Sequence, residues 1–247
     1  MTYRRILNLI CIGFNLVWSL NLSSQHTIIN YRGTAIFKSA TDSEYSNNMT
    51  LLTKRINNSL KNIDIQVKTN GVLNIVSYVE KLENDFNGGT LKNLTLSMAL
   101  NGKLIFTDYS RQTSYYESLS YNMLRSVSTS NIEWEILDDV KYILGYKCYK
   151  ALGKIVSLDE EYKLAVPTIA WFCPELSLKG GPTAYATLPG LLLELENKKM
   201  KFTAISIEEN KNTLREINLK NKKIKSHKEF VAYFSANNPL SRLNNKK

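Results

Sequence analysis

The stretch Ala170-Trp171-Phe172-Cys173-Pro174-Glu175-Leu176, followed by Gly180-Gly181-Pro182 and by Leu188-Pro189-Gly190-Leu191-Leu192-Leu193-Glu194-Leu195-Glu196, decides the fold of this chain. It reads as a strand ending in an aromatic pair, a bend rich in glycine and proline, and a second apolar strand entered through Pro189-Gly190. Glycine and proline solve bend and close-approach problems of the backbone. Gly180, Gly181, Pro182, Leu188, Pro189, Gly190 and Leu191 therefore read as a structural motif that need not touch a ligand. Working outward, Ile132–Leu137, Ile143–Leu152 and Lys163–Phe172 lie upstream, and Leu188–Glu196, Lys201–Glu208 and Leu214–Leu219 downstream, at intervals suited to a meandering antiparallel sheet. Pro167 implies an edge position or a bulge in its segment.

The N-terminal half is mixed. His26 to Ala40 opens with a β-rich run. Met49, Leu52, Ile56 and Leu60 fall at helical spacing and predict an amphipathic helix over Ser46–Leu60. A short strand or turn at Ile63–Lys68 follows. Val72, Ile75, Val76, Val79, Leu82 and Phe86 again have helical spacing, with Asn87-Gly88-Gly89 as the stop. From Leu94 the period becomes two, through Leu96, Met98 and Leu100; Asn101-Gly102 then predicts a hairpin turn back into Leu104 and Phe106. Residues 108–131 are rich in Ser, Tyr and Asn. Tyr109, Tyr115, Tyr116 and Tyr121 there read either as an exposed aromatic binding loop or as a connection whose rings cover the sheet. Ser226 and Glu229 have capping-box spacing at the start of a short helix ending near Phe234.

Within the deciding stretch and upstream of it lies a combination of motifs. Ile132-Glu133-Trp134-Glu135-Ile136 precedes Gly145-Tyr146-Lys147-Cys148-Tyr149-Lys150-Ala151, then Ala170-Trp171-Phe172, Pro174-Glu175-Leu176 and Leu188-Pro189-Gly190-Leu191. This combination resembles the GLPGLI family, exported bacterial proteins typical of the Bacteroidetes whose activity is unsettled. Thr187 stands where the family has its first motif glycine, Cys173 where Thr or Ser is usual, and Ser177 where Pro is usual. The resemblance implies an exported β-rich domain and an association with TonB-dependent outer-membrane transporters as a partner. The fold expected is α+β: one curved, mostly antiparallel sheet of about seven to nine strands with two or three helices, similar to the open half-barrel of periplasmic lipoprotein carriers. That likeness concerns fold and carries no function by itself.

The first residues read as an export signal. Arg4 and Arg5 precede the largely apolar Ile6–Leu22, and Ser23-Ser24 offers small residues before Gln25. The run is short for spanning a bilayer, which takes roughly 20 residues, and carries Asn8, Asn15 and Asn21. The expected organisation is a signal peptide at 1–24, a single domain at 25–236 and a basic tail at 237–247, in the periplasm or at the outer surface of a Gram-negative envelope. The chain of 247 residues holds 32 basic and 22 acidic residues, but 13 of the basic ones, against four acids, fall in residues 198–247. This C-terminal charge is either a solvated run or a contact to an anionic envelope surface. Nucleic acid is not an expected partner, since no basic-aromatic module is visible.

Beyond the signal segment only Cys148 and Cys173 remain. In an exported chain they read either as a disulfide or as buried thiols packing as small hydrophobes. Catalytic signatures are missing: His26 and His227 are the only histidines, and the sequence has no Gly-x-Ser-x-Gly elbow, metal-ligand spacing or phosphate loop. No cofactor or metal is expected. Trp134, Trp171 and Phe172 either line a ligand cavity or fill the core. Glu175 and Lys150 either touch a ligand or pair to fix the bend. The reading is a non-enzymatic envelope binding or carrier module for a hydrophobic ligand or a protein partner. The alternative is an envelope hydrolase of peptide or ester bonds, using Cys173 or Glu175 beside the bend, with His227 brought in by folding as the base.

Overall fold

The structure, a computed structural model, describes residues 25–36, 43–80, 89–119, 121–156 and 166–237. The expected signal peptide and all but the first residue of the expected tail lie outside them. Twelve strands form one sheet: β1 (His26–Ala35), β2 (Ile63–Thr69), β3 (Leu73–Glu80), β4 (Leu104–Asp108), β5 (Thr113–Glu117), β6 (Met123–Ser128), β7 (Ile132–Ile143), β8 (Tyr146–Ile155), β9 (Pro167–Cys173), β10 (Leu191–Asn197), β11 (Met200–Asn210) and β12 (Lys223–Ser226). Their order is β12-β6-β5-β4-β3-β2-β1-β11-β10-β9-β8-β7. Every pairing is antiparallel except β12 with β6. Among the described residues three helices accompany it: α1 (Ser43–Leu60), α2 (Gly89–Leu100) and α3 (His227–Asn237). The fold is thus α+β with an open, mostly antiparallel sheet.

One short connection bends this sheet. β6 passes through a single 3-10 turn, Thr129–Asn131, into β7, yet β7 stands at the opposite edge of the strand order. A link of three residues reaches only about 10 Å, so the two ends of the sheet must approach and enclose the core between them. β10 is buried along its length except at Glu196, and its Leu191, Leu192, Leu193 and Leu195 suit a strand covered on both faces.

Several sequence expectations hold. α1 covers the expected amphipathic segment, with Ile56 and Leu60 buried. The meander β7-β8-β9 and the pair β10-β11 form as read, and Pro167 sits where the β9–β10 register shifts. The capping box at α3 is made: Ser226 N–H donates to Glu229 Oε2 (2.8 Å) and Glu229 N–H to Ser226 Oγ (3.3 Å).

Others are overturned, and local chemistry explains each case. The described part of the expected Val72–Phe86 helix, residues 72–80, is not helical, and Leu82 and Phe86 lie outside the described residues. Leu73–Glu80 is strand β3, its β-branched residues paired with β2 around a turn in which Asn70 Oδ1 accepts from the N–H of Val72 and Leu73 and Gly71 has φ +83°. Leu94–Leu100 is not a hairpin arm but the end of α2. Its buried residues are Thr95, Leu96, Ala99 and Leu100, a helical face. Asn101, at φ +57°, donates to Ser97 O and ends the helix in a left-handed cap. Residues 108–131 form two strands, β5 and β6, rather than a long connection. Leu214–Leu219 is not a strand. The gains and losses raise the sheet to twelve strands. No helix among the described residues is long and apolar enough to cross a membrane.

Candidate functional site

Much of the deciding stretch lies inside the molecule. Between β9 and β10 the chain crosses the interior, and residues 180–186 are all buried. A buried irregular backbone must satisfy its polar groups, and strands from both halves of the sheet do so here. Thr69 Oγ1 on β2 donates to Lys179 O (2.6 Å), and Ser114 Oγ on β5 to Ala184 O (2.9 Å). Trp134 Nε1 on β7 donates to Tyr185 O (3.2 Å), and the Tyr31 hydroxyl on β1 to Leu192 O (2.5 Å). Asn74 on β3 clamps Gly181 from both sides: Nδ2 donates to its carbonyl and Oδ1 accepts its N–H, both at 3.1 Å. Gly190, at φ +144°, carries its Cα where a Cβ would lie 2.2 Å from Cys173 O. These residues hold the interior together.

The side chains singled out in the sequence scatter accordingly. Phe172 is buried in the core. Trp134 serves the crossing segment. Trp171 lies on the outer side of β9 under Lys141, whose Nζ is 4.2 Å from the ring centroid. Lys150 approaches Asp139 at 4.0 Å, and Glu175 is exposed, so the two do not form the pair considered. Beside Trp171, Glu194 accepts Lys141 Nζ (2.6 Å) and Lys201 Nζ (3.0 Å). Burial raises the Glu194 carboxyl, but those two bonds and charges outweigh it and hold it below the ordinary range.

Cys148 and Cys173 are free and fully buried on paired strands. The bond held open as one alternative is not formed; the thiols pack in the core. Burial, and then the neighbouring Cys173, pushes the Cys148 thiol up to about 11, the reverse of activation. Cys173 has no exposed surface with which to attack a substrate. His26 is buried, with Nδ1 2.6 Å from Asn212 O.

An open cleft of about 460 Å³ lies elsewhere. Asn93, Leu94 and Ser97 of α2, with Asn101 just beyond its end, form one wall. Tyr116 of β5, then Ser118, Leu119 and Tyr121, and Arg125 of β6 form the floor and second wall, and Phe230 and Phe234 of α3 close the third side. Tyr121 meets Tyr233 and Phe234 edge to face, at 5.4 and 6.2 Å. Arg125, only 4% exposed, sets its guanidinium 4.4 Å from the Tyr116 ring centroid and 5.6 Å from that of Phe230. The Tyr116 and Tyr185 hydroxyls are hydrogen-bonded to one another; burial, partly offset by the Arg125 charge, pushes Tyr185 up to about 12. The crossing segment therefore supports the cleft from behind: Tyr185 fixes Tyr116, and Tyr116 carries Arg125. Of these residues the sequence signalled only the tyrosines. Nothing marked Arg125, which falls in the segment read as a loop or a connection, and nothing marked Phe230, Phe234 or Asn93 as its neighbours.

Two solved structures of PNGF-II resemble the chain. One has a TM-score of 0.47 at 15% identity over 85% of this chain, the other 0.45 at 16% over 82%. The chain spans about a third of the length of each, 33% and 31%. No curated protein matches it. The family described as "N-glycanase peptide, N-terminal domain" matches residues 107–233, from β4 through the cleft strands, the crossing segment and α3. That is just over half of the 247 residues, and the chain belongs to the family of N-glycanase peptide N-terminal domains.

Proposed function

We propose that this domain is a non-catalytic saccharide-binding module that serves a glycan-processing protein in the bacterial envelope. The observation that carries the reading is the cleft. It joins aromatic faces (Tyr116, Tyr121, Phe230, Phe234) to amide, hydroxyl and guanidinium groups (Asn93, Ser97, Asn101, Ser118, Arg125) in one open space of about 460 Å³. Sugars present apolar C–H faces and a fringe of hydroxyls, and a concave site with a few placed polar groups suits both. The family's link to an N-glycanase supports a glycan as the ligand. The basic, apolar N-terminus and the resemblance to exported proteins support the compartment. An acyl-chain carrier finds less support, because the space enclosed by the sheet is filled by the crossing segment and the core side chains.

The test is retention of free N-linked oligosaccharides by the full chain on a glycan array, followed by titration calorimetry. Tyr121→Ala and Phe234→Ala, at half-buried and exposed positions on the rim, are expected to weaken binding about tenfold each, equivalent to about 1.4 kcal/mol, with the circular-dichroism spectrum unchanged. Absence of any retained glycan, or binding indifferent to both variants, refutes the proposal.

A further inference from the structure

We infer that the protein associates with a second copy of itself through the two edges of its sheet, the acidic edge β7 of one copy receiving the basic edge β12 of another. This contact is independent of what the cleft binds. Among the described residues β7 pairs with β8 alone and β12 with β6 alone. Each therefore has a side on which no described strand takes up its backbone N–H and C=O groups, and such a row is a template for another strand.

The side chains select which strand. β7 carries Glu133, Glu135, Asp138 and Asp139, all exposed. Its one cation, Lys141, is bonded to Glu194. On the neighbouring β8, Lys150 stands 4.0 Å from Asp139, and Lys154 lies opposite Glu133. β12 carries Lys223 and Lys225 and no acid, and the exposed Lys220 and Lys228 flank it. Opposite charges on adjacent strands attract, and like charges directly opposite repel. A second β7 is thus disfavoured beside β7, and β12 is favoured. The apolar residues follow the same alternation. Ile136 is 52% exposed on the face of β7 opposite Glu133 and Glu135, and Ile224 is 42% exposed on the face of β12 opposite Lys223 and Lys225. The β7–β8 register shifts between Ile136 and Val140, so the regular part of the edge is Ile132–Ile136, close in length to the four residues of β12. Acids alone would serve to keep an edge unpaired. An edge meant to stay bare would not also expose Ile136, Val140 and Tyr142, apolar groups that a partner would cover.

The experiment is sedimentation velocity of the full chain over a wide range of concentration. The mean mass is expected to rise above that of one chain with concentration, and to fall back in high salt, which screens exposed charges. Two double variants reverse the charge of one edge each: Glu133→Lys with Glu135→Lys, and Lys223→Glu with Lys225→Glu. Either variant alone is expected to associate at least about tenfold more weakly. An equimolar mixture of the two is expected to restore association, because each then meets an opposite charge on the other. Amide hydrogen exchange of the wild type locates the contact, with protection at residues 132–136 and 223–226 expected to grow with concentration; it decides the matter if a variant does not fold. A mass that stays at one chain at every concentration overturns the inference. So does association that neither variant weakens, or protection that grows away from these two edges.

Discussion

Removing the Asn74 carboxamide is expected to damage the fold more than any surface substitution. Asn74 has no exposed surface, and its two bonds hold both backbone groups of Gly181, each at 3.1 Å. In Asn74→Ala the Gly181 N–H and C=O remain buried without those partners. An unsatisfied buried polar group costs about 1–3 kcal/mol, so the pair amounts to about 2–6 kcal/mol, and the small void left by truncation adds to it. Against a typical total of about 5–15 kcal/mol this is a large fraction. The measurement is urea unfolding followed by tryptophan fluorescence, with the wild type and Asn93→Ala compared under the same conditions. Asn93 lies at the exposed cleft rim and should stay within about 0.5 kcal/mol of wild type. Asn74→Asp keeps the acceptor but sets a carboxylate against Gly181 O, and is expected to be at least as unstable as Asn74→Ala. A loss under about 1 kcal/mol for Asn74→Ala, at an unchanged dependence on urea, would refute the view that the crossing segment is held by this clamp.

Gly190→Ala is expected to prevent folding or to lower the melting temperature severely, because φ +144° is strained for alanine and its Cβ would lie 2.2 Å from Cys173 O; a wild-type melting curve would contradict this. The Glu194 carboxyl sits below its ordinary value of 4.5 in the folded protein. Its stabilisation is therefore complete above that value and lost as pH falls through the folded-state value. Glu194→Gln should be less stable than wild type at pH 7, and the two should converge in acid; parallel stability curves down to pH 3 would count against the ion cluster with Lys141 and Lys201. Cys148 and Cys173 should resist iodoacetamide in the native protein and react fully after denaturation without reductant, as intact mass will show. A mass two hydrogens lighter, with no alkylation until reduction, would establish the disulfide instead.

The sequence by itself determined the elements whose signal is local. The segments Ile132–Leu137 and Ile143–Leu152 anticipated parts of β7 and β8, the 3–4 spacing of Met49, Leu52, Ile56 and Leu60 wrote α1, and Ser226 with Glu229 wrote the cap of α3. It also marked the Gly180–Leu191 segment as a backbone device. Tertiary structure decided what local chemistry leaves open. Asn101-Gly102 supplies a left-handed residue and a glycine, and both a hairpin turn and a helix end can use such a pair. The choice fell to the burial of Thr95, Leu96, Ala99 and Leu100 on one side of α2, and to the approach of Gly102 to Glu117 O, where a Cβ would lie 2.4 Å away. Likewise Val72–Glu80 carries apolar residues on both faces, and it is a strand because β2 and β4 are there to pair with it. The candidate site shows the same limit. Tyr116 and Arg125 are cross-strand partners on β5 and β6, but Asn93 and Phe234 are distant from them in sequence and share no period. Phe234 reaches the cleft because β12 pairs with β6 and leads directly into α3 at that edge. Sequence patterns report a residue's own element and its burial, whereas a cleft is made where elements meet, and that is set by chain topology.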